Sequence, residues 1–105
     1  MDIQTHAQLL RTLDEEFVSK EAQILFTQWD TDDEDEEETG FSAKLLSVAL
    51  SDNEFGEKDL HLVFDQDGEQ AEILMELPKT EEDLADFENG RLSIYGTEAE
   101  IVLTK

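Results

Sequence analysis

Between Leu60 and Leu77 apolar and polar residues alternate on either side of a short polar break, and this pattern constrains the fold more than any other stretch. Leu60, Leu62 and Phe64 alternate with His61 and Val63. Asp65-Gln66-Asp67-Gly68 turns the chain, and Ala71, Ile73, Met75 and Leu77 then alternate with Glu72, Leu74 and Glu76. A period of two sends successive side chains to opposite faces of a strand. The stretch therefore predicts a β-hairpin with one face apolar throughout and the other mixed. Pro78 ends its second strand, because it offers no amide hydrogen to a ladder.

Around that hairpin the elements are read in turn. Thr5-His6-Ala7-Gln8 has a hydroxyl at the N-cap and an amide three residues on, and Leu9, Leu10, Leu13, Phe17 and Val18 follow at helical spacing. An amphipathic helix of about 14 residues is expected there. Ala22, Ile24 and Phe26 alternate with Gln23, Leu25 and Thr27, which predicts a strand ending near Trp29, with a continuing helix as the competing reading. Phe41, Ala43 and Leu45, then Leu46, Val48 and Leu50, alternate on two different faces. A strand with a bulge near Leu45-Leu46 reconciles them; a short helix carrying Phe41, Leu45 and Val48 is the alternative. Thr80, with Asp83 three residues on, predicts the cap of a second short helix carrying Leu84 and Phe87, stopped by Asn89-Gly90. Leu92 and Ile94 begin another strand, Gly96-Thr97 makes a turn, and Ala99, Ile101 and Leu103 form the last strand. The expected fold is α+β: an N-terminal amphipathic helix and a short second helix packed on an antiparallel sheet of about four to six strands.

Charge is the second constraint. The 105 residues carry 29 Asp plus Glu against 7 Lys plus Arg, a formal charge of −22. Such a surplus raises disorder as a reading, but Leu, Ile, Val and Phe number 29, above the roughly 20% below which acidic chains fail to bury enough apolar surface. One domain over 1–105 is expected, interrupted by a flexible acidic loop at about 30–40, where Asp30 to Glu38 holds eight carboxylates in nine positions. With no Cys, no signal-peptide pattern and no apolar run near 18 residues, a soluble cytoplasmic protein is expected.

Motif chemistry is sparse. A calcium loop begun at Asp30 places Asp32 and Glu34 correctly, but Asp35 stands where the bend needs Gly and Phe41 where the clamp needs Glu. His6 and His61 are far apart and have no Cys company, which argues against a metal motif. No nucleophile elbow and no Gly-rich phosphate loop occurs, so neither a catalytic residue nor a cofactor is assigned and the chain is read as non-enzymatic. Seven cations among 29 acids exclude direct binding of nucleic acid or of an anionic membrane surface.

What remains is where the acids lie. Taking the eight carboxylates of the run from −22 leaves −14, so the rest of the chain is itself strongly acidic. Residues two apart on a strand are about 6.6 to 6.8 Å apart, close to the phosphate spacing of one DNA strand. The first expectation is therefore a nucleic-acid mimic or inhibitor that engages the basic surface of a nucleic-acid-binding protein. Its contacts would be Asp30, Asp32, Asp33, Glu34, Asp35, Glu36, Glu37 and Glu38 on the loop, with Asp65, Glu72, Glu76, Glu98 and Glu100 on the sheet. A second reading is a small acidic chaperone or adaptor for a partner chain, anchored by Trp29, Phe41 and Phe55. Under the third, the acids only face solvent; Trp29 and Phe41 are equally readable as core or hairpin-edge residues.

Overall fold

The computed structural model describes residues 2–29 and 36–105, with the side chain of Glu36 left out. In chain order the elements are β1 (Asp2–Ile3), α1 (His6–Glu16), β2 (Glu21–Trp29), β3 (Glu36–Asp52), β4 (Lys58–Gln66), β5 (Glu69–Leu77), β6 (Ala85–Glu88), β7 (Arg91–Tyr95) and β8 (Ala99–Thr104). All strands join one antiparallel sheet in the order β1-β6-β7-β8-β2-β3-β4-β5. This corrects the expected α+β arrangement: eight strands stand in place of four to six, and one helix of 11 residues in place of two.

The second helix fails for identifiable reasons. Asp83 sits at φ 50°, outside the right-handed helical region. Gln4 clasps it there, with Nε2 donating to Asp83 Oδ1 at 3.0 Å and Oε1 accepting from the Asp83 amide at 2.7 Å. Leu84 then donates its amide to Ile3 and accepts from Tyr95, so the chain is already in a ladder where the helix was to run. Asn89-Gly90, read as a helix stop, is the turn between β6 and β7: φ is 53° and 77°, and Glu88 pairs Arg91 across it. Positive φ at both central residues is the hairpin form whose twist matches the strands, and Asn-Gly is its strongest signal.

Elsewhere the alternation is realised. Thr5 caps α1, accepting from the Gln8 amide at 3.1 Å, although the Gln8 side chain returns to the amide of Gln4 and not to that of Thr5. Leu9, Leu13 and Phe17 form its buried stripe. The helix ends at Phe17, and Ser19, at φ 67°, donates its amide to the Leu45 carbonyl at 2.7 Å. In β3 the register shifts between Leu45 and Ser47, a bulge that leaves Leu46 exposed and turns Val48 and Leu50 to the same face as Ala43 and Leu45. Asp67 and Gly68, at φ 51° and 88°, turn β4 into β5, and the ladder stops at Leu77, before Pro78.

Buried residues from the helix and from every strand merge in one core cluster, so the sheet has an inner and an outer face. It also curls. The carbonyl of Glu76, on the terminal strand β5, accepts the Thr97 amide of the β7–β8 turn at 3.0 Å, joining two parts of the sheet four strands apart in its order. Among the described residues no helix is long and apolar enough to cross a membrane.

A candidate acidic interaction face and edge

The register fixes which side chains share the outer face. Tyr95, Glu100, Thr27 and Glu38 lie opposite one another in a row across β7, β8, β2 and β3. The next row is Ser93, Val102, Leu25 and Gly40, and the one after it Arg91, Thr104, Gln23 and Ser42. With no side chain at Gly40, the face dips there into a shallow depression of about 520 Å³ bordered by Leu25, Val102 and Arg91. At the opposite end of the hairpin Trp29, 38% exposed, pairs with Glu36. Glu38 and Glu100 thus flank Thr27 from neighbouring strands, about 10 Å apart at two strand spacings.

The other half of the outer face is the β4–β5 hairpin. Between Lys58 and Lys79 there is no Lys or Arg, whereas Asp59, Asp65, Asp67, Glu69, Glu72 and Glu76 give six carboxylates. Asp59 and Glu76 are directly opposed, an arrangement that like charges make unfavourable. Asn53, in the β3–β4 loop, resolves it: one amide group donates to Asp59 Oδ1 at 3.1 Å and to Glu76 Oε2 at 2.9 Å. Its oxygen in turn accepts from the amides of Phe55 and Glu57 at 2.9 and 3.0 Å. Thr97 Oγ1 donates to the other oxygen of Glu76 at 2.6 Å. Further along, His61 stands 3.6 Å from Glu72 on the diagonal.

The expected contact residues therefore separate. Asp30, Asp32, Asp33, Glu34 and Asp35 lie outside the described residues. Glu36, Glu37 and Glu38 belong to β3, which corrects their placement on a loop: the ladder continues through Trp29↔Glu36, Gln28↔Glu37 and Thr27↔Glu38. Asp65 accepts the Gly68 amide at 3.1 Å and so braces the turn. Glu76 is engaged by Asn53 and Thr97. Glu72 and Glu98 are exposed and Glu100 is half-buried; among the described residues their side chains make no internal contact beyond the Glu72–His61 approach, and the Glu98 carbonyl accepts from the Trp29 amide. On β5 Leu74 stands between Glu72 and Glu76, and Glu98 precedes β8. Of the apolar anchors, Phe55 is 75% exposed and Trp29 partly so, while Phe41 packs edge-on against Phe64 at 5.6 Å.

Sequence reasoning missed Asn53 and Leu74. Asn53 lies in the β3–β4 loop; its partners Asp59 and Glu76 are 6 and 23 residues away, and only the hairpin register brings them together. Leu74 was visible as the one large apolar residue on the mixed face.

Several acids are engaged internally. Glu16 is held below the usual carboxylate range by a hydrogen bond and charge from Lys105, and Asp52 in the same way by Lys58. Glu81 is also lowered, first by the backbone amide of His6 and then by its ring at 3.0 Å. His6 is buried, its second nitrogen 2.9 Å from the Pro78 carbonyl; it ties the helix start to the β5–β6 connection. Among the described residues no group of three or more His, Cys, Asp and Glu is arranged to hold a metal ion. No protein-family model matches the chain, and neither does any curated protein or solved structure.

Proposed function

We propose that this chain is a non-enzymatic acidic binding protein of the cytoplasm that engages the basic surface of a nucleic-acid-binding protein, as a mimic or inhibitor of nucleic-acid binding. The observation that carries the reading is the β4–β5 hairpin with its six carboxylates and no Lys or Arg. They are mounted on a paired scaffold, so their spacing is set before any partner arrives. Glu38, Glu98 and Glu100 extend the negative potential across β3, β8 and the turn before it. Clefts and faces of one sign raise the encounter rate with an oppositely charged partner, and that advantage falls with ionic strength.

The adaptor reading is favoured by a different observation, the exposure of Phe55 and Trp29 beside this charge. One variant series separates the two. In capture from host lysate, a stoichiometric basic partner should persist at about 0.3 M salt, where the Debye length is roughly 5 to 6 Å. Combined Glu38→Gln, Glu72→Gln, Glu98→Gln and Glu100→Gln should abolish that retention while thermal stability holds or rises. Retention that survives the four changes and disappears with Trp29→Ala and Phe55→Ala would overturn the charge-driven reading in favour of the adaptor.

A further inference from the structure

β5 is a terminal strand of the sheet, and most of its outer edge is open. Residues flanking a two-residue hairpin turn bond each other, so Glu69, Ala71, Ile73, Met75 and Leu77 direct their backbone groups toward β4, and Gln70, Glu72, Leu74 and Glu76 direct theirs outward. The Glu76 carbonyl confirms this phase, because it reaches Thr97 and not β4. Among the described residues, the outward backbone groups of Gln70, Glu72 and Leu74 have no partner. Leu74 is 61% exposed on the same stretch, beside Glu72. An unpaired edge with an exposed large apolar residue is a template for another strand.

We propose that this edge receives an extended basic segment of the partner protein as a ninth strand. The inference rests on the proposed engagement of a basic protein and names the element that performs it. Charge selects the occupant. A second copy of this chain would set one six-carboxylate hairpin against another, whereas a segment with Lys or Arg facing Glu72 and an apolar residue two positions on, facing Leu74, satisfies both side chains at once. The backbone of Gln70, Glu72 and Leu74 supplies affinity independent of sequence, and the acid–apolar pair sets the register.

The test uses the full chain and the blocked peptide Thr-Lys-Thr-Val-Thr-Lys-Thr, which presents Lys, Val and Lys on one face in either direction. Its control is the same peptide N-methylated throughout, with charge kept and ladder donors removed. Titration followed by amide NMR should give at least tenfold weaker binding for the methylated peptide. The Glu72 and Leu74 amides should exchange with solvent at least tenfold more slowly in the complex. Leu74→Pro, which removes an outward-facing amide together with the exposed leucine side chain and takes no donor from the β4 ladder, should reduce the unmethylated peptide to the level of the control. Equal affinity of the two peptides, abolished by salt, would overturn the added strand while leaving charge-driven binding standing. Failure of both peptides to bind at low salt would count against the strand and against the proposed function together. Concentration-dependent dimers that bury the β5 edge would overturn the choice of occupant.

Discussion

Asn53→Ala is the substitution from which this fold should suffer out of proportion to the size of the side chain. It removes two bonds to carboxylates, at 3.1 and 2.9 Å, and leaves Asp59 and Glu76 opposed with no donor between them. Hydrogen bonds to charged groups contribute about 1.5 to 3 kcal/mol each when buried. Both acids are half-buried and water replaces part of each bond, as it does for the Phe55 and Glu57 amides that lose the Asn53 oxygen, so a total near 2 kcal/mol is expected. For a domain of this size that corresponds to roughly 10 °C in Tm. Urea unfolding measures the cost directly, and a double-mutant cycle assigns it. In the Glu76→Gln background the new amide can donate to Asp59, so Asn53→Ala should cost about 1 kcal/mol less there. A cost below about 0.5 kcal/mol with unchanged m, or strict additivity in the cycle, would refute the bridging role.

Two glycines predict different costs, for different reasons, from the same substitution. Gly96→Ala places a Cβ 2.6 Å from the Glu76 carbonyl and 2.8 Å from that of Ala99, backbone on both sides, and should cost about 3 kcal/mol by thermal unfolding. Gly68→Ala meets nothing within 4 Å, so only its φ of 88° opposes it, and about 1 to 2 kcal/mol is expected. Glu81→Gln tests the acid limb of stability. Because the folded pKa of Glu81 lies below its ordinary 4.5, its contribution is present above that value and lost as pH falls through the lowered one, so urea midpoints of the variant should decline less than wild type below about pH 4.5.

Six of the strands lie where alternation placed them, including the β3 bulge that reconciled two apolar phases. In each, five or more residues of period-two pattern outweighed any local competitor. The failure at Ala85–Glu88 is the converse case. Four residues hold too little periodicity to decide, Leu84 and Phe87 sit three apart as a helix would have them, and Asn89-Gly90 suits a helix stop and a hairpin turn alike because both need positive φ. What decided was the open ladder of β7, which no local pattern reports. Glu36 to Gly40 misled through charge: repulsion argued for a loop, yet β2 runs as far as Trp29 and supplies ladder partners opposite Glu36, Glu37 and Glu38. At the candidate site, which faces were acidic was legible from composition and period. Which acids were already occupied was not, since Glu76 meets Asn53 only through the register of the hairpin and Thr97 only after the sheet curls.

Competition with nucleic acid tests the proposed function most directly. The measurement is anisotropy of a fluorescent DNA duplex bound to the stoichiometric basic partner, titrated with this chain at about 0.15 M salt, where the Debye length is about 8 Å. The account predicts full, one-to-one displacement of the duplex, weakened at least tenfold by the combined Glu38→Gln, Glu72→Gln, Glu98→Gln and Glu100→Gln changes. A stable ternary complex, with duplex and chain bound to the partner together, would contradict it.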